Sequence, residues 1–141
     1  MTKKKHMIIA THGHLAHGFE SAMKIIVGDS IKLNIISCYL EPDFNLLSEI
    51  EKVMATIDFE KTSVVVCTDL LGGSVNNEFL KVMHRYPFHL ITNINLGFLI
   101  DMALTEEPIS SEMIEHKIVD STFSLKYVNN YIFQSDEIDD L

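Results

Sequence analysis

The sequence is short of cysteine, of positive charge and of long apolar runs. The apolar run that follows the N-terminal lysines covers only residues 7–10, too few for a signal peptide or a transmembrane helix. The two cysteines, Cys38 and Cys67, each lie in an apolar, strand-like run. We therefore expect a cytosolic protein with two buried, reduced thiols and no disulfide framework.

Positive charge is scarce, with 11 basic residues against 20 acidic ones and a net charge of −9. Nucleic-acid binding depends on lysine and arginine contacts to phosphates, so this composition argues against it. The acidic balance instead suits a basic protein partner. Part of the acidic excess lies in residues 135–141, which we expect to form a solvated acidic tail.

The remaining chain has the composition of one globular domain, which we place at residues 1–134. It is 47% hydrophobic over 141 residues, enough to bury a core without covalent staples. Apolar runs alternate with helical periodicities. Strands are predicted at 6–11, 32–40, 63–69 and 88–94. Helices are predicted at 14–28, after Pro42, and at 74–86, 98–106 and 110–121.

This order predicts an α/β domain with a mostly parallel four-stranded sheet flanked by helices. Residues 123–133 are aromatic and β-branched, so we predict a further strand there. No helical crossover before it clearly returns it to the same sheet in parallel.

Two polar segments follow predicted strands, at residues 11–14 (THGH) and 68–77 (TDLLGGSVNN). Parallel sheets bind ligands beyond the carboxyl ends of their strands, so the segments could face each other across one crevice. In the second, Gly72 and Gly73 allow close backbone approach, and Ser74 begins a helix whose free N–H groups favour an anion. A serine-capped turn beside a solvated aspartate is the alternative.

The first segment opens a cluster of three histidines, His12, His14 and His17. Their spacing is not a standard zinc motif, and a strand end, a turn and a helix would have to converge to hold one ion. The sharper hypothesis pairs His12 with Asp69, which would fix the tautomer and leave the other ring nitrogen free to attack. For His14 and His17, an ordinary surface position is the simpler interpretation.

Three segments together, IIATHGHLAHGF, VVVCTDLLGGSVNN and ITNINLGFLIDMAL, carry a family resemblance. The chain resembles the IIA domain of the mannose-family sugar phosphotransferase system over roughly residues 6–125. The resemblance implies an α/β fold and a homodimer in which a C-terminal strand crosses to the partner's sheet, antiparallel to its neighbours. It would account for the unplaced segment 123–133.

The resemblance also implies a function. Such a domain is a cytoplasmic phosphotransferase component that takes a phosphoryl group from the phosphocarrier HPr onto a histidine. It passes the group to a IIB domain, which phosphorylates sugar entering through the membrane proteins IIC and IID. No metal or cofactor is implied. The matching positions are His12 for the phosphorylated histidine, Asp69 for its partner, and Gly72, Gly73 and Ser74 for the phosphate-binding loop. The family's asparagine after the fourth strand matches Asn95, with no role assigned.

Three alternatives remain open. A subunit of a dihydroxyacetone kinase system is built similarly, although THG with LLGGS favours the mannose type. A regulatory module of the same fold that no longer transfers phosphate is the second, and a metal-binding protein is the third. The sugar cannot be read from this chain, because a IIA domain does not contact it.

Overall fold

The computed structural model describes residues 3–29, 31–106 and 108–130. Four strands and five α-helices follow one another along the chain. The strands are β1 (Lys4–His12), β2 (Leu33–Cys38), β3 (Thr62–Thr68) and β4 (Phe88–Ile91). The helices are α1 (Leu15–Val27), α2 (Leu46–Ala55), α3 (Ser74–Val82), α4 (Leu96–Leu104) and α5 (Ser111–Val119).

The strands form one sheet in the order β2-β1-β3-β4, and all three pairings are parallel. The predicted α/β class and the parallel four-stranded sheet are therefore confirmed. β1 and β3 lie at the centre, and their residues are buried on both faces, which explains their continuous apolar runs.

Two apolar layers enclose the sheet because successive strand residues point to opposite faces. On one face, Ile8 and Ala10 pack with residues of α2 and α3. On the other, Met7 and Ile9 pack with residues of α1, α4 and α5. The sheet thus serves as a rigid base, and the loops at the carboxyl ends of its strands are held by a packed core.

Several predicted boundaries differ from the structure. β4 ends at Ile91 rather than at residue 94, because the chain turns at Asn93, whose φ is 57°. α3 ends at Val82 rather than at residue 86, since Pro87 disfavours helical backbone just before it. α4 begins earlier than predicted, at Leu96, after a side-chain cap.

The C-terminal strand is the main difference. Within the described part of residues 123–133, the structure has short 3-10 turns at Ser121–Phe123 and Val128–Asn130 and no strand. Residues 131–133 and the predicted acidic tail lie outside the described residues. Of the helices described, none is long and apolar enough to cross a bilayer.

Candidate active site

His12 is the last residue of β1 and stands at the carboxyl edge of the sheet. Its register partner on β2 is Cys38, whose carbonyl oxygen accepts the N–H of Gly13 at 2.9 Å. On the other side, Ala10 pairs with Thr68 of β3. This pairing brings Asp69, the next residue of the β3 chain, alongside His12.

Asp69 binds His12 twice through one oxygen. Its Oδ2 accepts the backbone N–H of His12 at 2.9 Å and lies 2.8 Å from ring Nδ1. Burial alone would raise the pKa of this carboxyl, but the hydrogen bonds from His12 and the nearby ring charge outweigh burial and hold the pKa below its ordinary value. An ionised carboxylate only accepts hydrogen bonds, so Nδ1 carries the proton and Nε2 keeps a free lone pair.

The pair is asymmetric in exposure. The side chain of Asp69 is 9% exposed, whereas that of His12 is 42% exposed. The Asp69 carboxylate is therefore largely buried and can orient the ring, whereas the imidazole remains accessible to a second molecule. This is the arrangement that a nucleophilic histidine requires.

The loop after β3 faces the open nitrogen of His12. Gly72 has a φ of 75°, which its missing side chain allows, and a Cβ at Gly73 would lie 3.2 Å from the carbonyl oxygen of Leu70 and 3.5 Å from Cε1 of His12. Ser74, the first residue of α3, has its Oγ 3.4 Å from Nε2 of His12. The five residues predicted for the site are thus brought together.

One detail of the loop differs from the expectation that the backbone of Gly72 and Gly73 would approach an anion. The N–H of Gly73 donates to the carbonyl of Leu70 at 3.1 Å, so it is used inside the turn. The groups available to an anion are the Ser74 hydroxyl and the first N–H groups of α3, which have no carbonyl partner within the helix. The positive end of the α3 dipole lies at the same place.

Two asparagines that the sequence analysis did not select accept hydrogen bonds that hold this loop, and the exposed Asn77 donates to the carbonyl of Gly72 at 3.3 Å. Oδ1 of Asn93 accepts the N–H of Leu71 at 2.9 Å. Oδ1 of Asn76 accepts the hydroxyl of Thr68 at 2.8 Å, in the buried space under the loop. Asn76 was visible as a polar residue on the apolar face of a predicted helix, whereas nothing in the local pattern indicated Asn93.

The other histidines of the cluster do not join the site. His14 stands at the N-cap position of α1 without a side-chain cap bond. His17 directs Nδ1 to the hydroxyl of Ser37. No group of three histidine, cysteine, aspartate or glutamate side chains in the described ranges could hold a metal ion. Asn95, which had no assigned role, caps α4 by accepting the N–H of Phe98 at 2.9 Å.

The two cysteines are free and buried, as predicted. Burial raises the pKa of Cys67 to about 12, and burial together with the charge of Asp69 raises that of Cys38 to about 12. Neither is a thiolate at neutral pH, so neither competes with His12 as a nucleophile.

Exposed apolar side chains surround His12 on the loops of this edge. We call them the apolar collar; its members are Leu15, Tyr39, Leu40, Leu70 and Leu71. Exposed apolar residues that cluster at one place on a surface can mark a site of protein–protein contact. The collar is suited to transient contact with another protein around an accessible imidazole.

Comparisons with known proteins identify the family of the chain. Residues 6–119 match the model of the family described as the fructose IIA component of the phosphotransferase system (EIIA-man). No curated protein sequence gives a significant match.

Among similar solved structures, one from Klebsiella pneumoniae subsp. pneumoniae MGH 78578 is described as a candidate permease of a phosphoenolpyruvate-dependent sugar phosphotransferase system. It is 29% identical, with a TM-score of 0.82 over 92% of this chain and 95% of that one. The mannose/sorbose-specific IIA subunit from Enterococcus faecalis is 19% identical, with a TM-score of 0.80 over 93% and 99%.

A third structure is the IIA protein associated with the fucose utilization operon of Streptococcus pneumoniae. It is 24% identical, with a TM-score of 0.70 over 91% of this chain and 96% of that chain. The last two likenesses bear on the fold, and the family match covers most of the sequence. The chain belongs to the mannose-type IIA family of the sugar phosphotransferase system.

Proposed function

We propose that this protein is a cytoplasmic phosphoryl carrier that accepts phosphate from phospho-HPr on His12 and passes it to a IIB domain. The IIB domain would then phosphorylate sugar entering through IIC and IID. The observation that carries the proposal is the bond between Asp69 Oδ2 and His12 Nδ1 at 2.8 Å, which leaves an exposed Nε2 facing the start of α3. Family membership supplies the class of donor and acceptor.

In the transfer step, the Nε2 lone pair of His12 attacks the phosphorus of the donor phosphohistidine. A bond forms between Nε2 and phosphorus, the donor's P–N bond breaks, and its electron pair returns to the donor nitrogen. The reverse chemistry delivers the group to the acceptor in the IIB domain. The proton on Nδ1 stays in place throughout, so His12 needs no separate general base.

Asp69 has two functions in this step. It selects the tautomer by accepting the Nδ1 proton, and its negative charge stabilises the positive charge that the ring acquires when Nε2 is phosphorylated. The additional bond from the His12 backbone N–H keeps the carboxylate ionised and in position. We expect the Asp69 carboxylate to stabilise the phosphorylated imidazole of His12 and to leave the phosphoryl group accessible to the next acceptor.

The phosphoryl oxygens would lie where Ser74 now approaches Nε2 at 3.4 Å. There the serine hydroxyl can donate to one oxygen, and the free N–H groups and dipole of α3 oppose the negative charge. A Cβ at Gly73 would be in ordinary contact with the imidazole at 3.5 Å and in tighter contact with the Leu70 carbonyl at 3.2 Å, so glycine suits this turn beside the ring. We expect positioning and electrostatics, rather than a metal, to provide the rate enhancement.

A homodimer with an exchanged C-terminal strand is part of the proposal. β4 pairs with β3 on one side, and within the described residues no strand pairs with its other side. An open edge with unpaired backbone groups is a template for strand addition. Residues 123–133, with their β-forming composition, would supply that strand to a partner subunit, which sedimentation of the protein with and without residues 123–141 would test.

The central experiment mixes the protein with phosphoenolpyruvate, enzyme I and HPr. We expect an acid-labile, base-stable phosphate on the wild type and on the matched control His14→Ala, and none on His12→Ala. Incorporation into His12→Ala, or none into the wild type, would contradict the proposal. Adding a IIB domain to the purified phosphoprotein should discharge the label, which separates a carrier from a regulatory end point.

A further inference from the structure

Tyr39, which follows the last residue of β2, has an unusual backbone. Its φ is 66°, and in the described part of the chain only one other non-glycine residue, Asn93, has a positive φ. Asparagine tolerates the left-handed region, whereas a bulky aromatic residue there is a genuine outlier. Such outliers persist where the surrounding structure fixes them, and they concentrate at functional sites.

The left-handed turn places the tyrosine ring against the active-site histidine. The ring centroids of Tyr39 and His12 are 5.5 Å apart and the planes are tilted by 45°. On its other side, Tyr39 meets Phe44 edge to face with centroids 5.5 Å apart, and Phe44 itself packs on the core. The imidazole therefore has Asp69 at Nδ1, Ser74 near Nε2 and the Tyr39 ring as an aromatic neighbour.

We propose that Tyr39 is a positioning residue that favours the phosphorylated form of His12. This inference rests on the proposed phosphoryl transfer. With its proton retained on Nδ1, which donates to Asp69, the imidazole ring becomes cationic when Nε2 is phosphorylated. A cation that lies over the face of an aromatic ring within about 6 Å of its centroid is attracted by the π electrons, and the tilted His12 ring has its centre 5.5 Å from that of Tyr39. The neutral, unphosphorylated ring gains less from the same neighbour.

The ring, not the hydroxyl, carries this effect. No hydrogen bond from the Tyr39 hydroxyl supports His12, and 45% of the residue is exposed, so it is not a core anchor. Its backbone conformation and Phe44 fix where the ring stands. Phenylalanine should therefore replace it fully, and an aliphatic residue should not.

The discriminating measurement is the equilibrium constant for phosphoryl exchange between phospho-HPr and this protein, read from the label on each at equilibrium. Tyr39 also belongs to the apolar collar, and a docking role would change the forward and reverse rates equally. It could not change the equilibrium constant between the free species. We expect Tyr39→Leu to shift this constant toward phospho-HPr by about two- to five-fold, and Tyr39→Phe to leave it at the wild-type value.

A second variant, Tyr39→Asn, removes the ring but suits the left-handed backbone, so it tests the ring without straining the turn. It should show the same shift as Tyr39→Leu, with a circular dichroism spectrum like the wild type. Wild-type equilibrium constants in both variants, or a shift in Tyr39→Phe equal to theirs, would overturn the inference. If the wild type takes up no phosphate, the proposed function fails and this inference fails with it; unchanged constants in a protein that is phosphorylated overturn this inference alone.

Discussion

A single oxygen of Asp69 receives two hydrogen bonds from His12, one from its backbone N–H at 2.9 Å and one from ring Nδ1 at 2.8 Å. The backbone bond fixes where the carboxylate stands relative to the end of β1. The ring bond then fixes the imidazole relative to the carboxylate. One residue thus sets both the orientation and the tautomer of the nucleophile, which makes the carboxylate the most informative position to change.

We expect Asp69→Asn to fold and to transfer phosphate about 10²-fold more slowly than the wild type. The amide can still accept a hydrogen bond, but it has no negative charge to stabilise the cationic ring and it does not enforce the Nδ1–H tautomer. Quenched-flow transfer from phospho-HPr gives the rate. Wild-type kinetics in this variant would show that the carboxylate is not needed.

The pH dependence of the free energy of unfolding should reveal the contribution of the Asp69 carboxylate. The folded-state pKa of Asp69 lies below the ordinary aspartate value of about 3.9. On acidification, the unfolded chain therefore takes up the proton first. Its contribution is therefore complete above about pH 5 and is lost as the pH falls through the folded-state pKa. Urea unfolding from pH 7 to pH 3 should show the advantage of the wild type over Asp69→Asn shrinking below about pH 4.

Asp69→Asn is also the control for the other acidic groups with lowered pKa values. The pKa of Glu51 is lowered first by the hydrogen bond from Tyr86, and that of Asp120 first by the hydrogen bond from Thr122. Both are unchanged in the variant, so the difference between the two proteins isolates position 69. A difference that stays constant over this pH range would contradict the link between the ionised Asp69 carboxylate and folding.

The sheet, and the possibility of a contact between His12 and Asp69, followed from the sequence for a physical reason. A parallel sheet buries its central strands on both faces, which leaves unbroken apolar runs such as residues 64–67, and a polar residue after each run must lie at one common edge. His12 and Asp69 were predictable from that rule. Their 2.8 Å contact confirms that β1 and β3 are neighbours.

The supporting residues were not predictable in the same way. Asn93 reaches Leu71 across a gap of 22 residues, and Tyr39 approaches His12 only because its backbone takes a left-handed turn that aromatic residues rarely adopt. Neither arrangement follows from local periodicity. The strand predicted at 123–133 is not formed within its described residues in a single subunit, since β-forming composition does not by itself provide a pairing partner.

Thr68 and Asn76 provide a test of how the loop is held. Both are buried and share a 2.8 Å hydrogen bond between side chains. Asn76→Ala leaves the Thr68 hydroxyl without its acceptor, so we expect the free energy of unfolding to fall by about 1–3 kcal/mol. Asn77→Ala, at the neighbouring exposed position, should change it far less.

The double variant Thr68→Val with Asn76→Leu removes both polar groups and should recover part of the stability lost in Asn76→Ala. Chemical denaturation of the wild type and these three variants measures the differences in the free energy of unfolding. Equal losses in Asn76→Ala and Asn77→Ala would mean that the buried bond contributes nothing measurable. Transfer rates from phospho-HPr on the same proteins would report whether a loosened loop displaces Ser74.

Substitutions of Leu71 and Ile25 distinguish a docking role of the apolar collar from a general effect of added surface charge. Leu71 in the apolar collar is 72% exposed, and Ile25 near the far end of α1 is 84% exposed. Ten residues of helix place Ile25 about 15 Å along the axis from Leu15 of the collar. A glutamate at either site adds the same charge to an already acidic protein and should alter stability by no more than about 0.5 kcal/mol. Because the proposed phosphoryl donor would contact the collar, Leu71→Glu should raise the KM for phospho-HPr about tenfold with kcat nearly unchanged, the size expected for losing one central apolar contact. Ile25→Glu should keep the wild-type KM.

Steady-state transfer with varied phospho-HPr measures both constants, and equal KM values in the two variants would remove the collar from the docking surface.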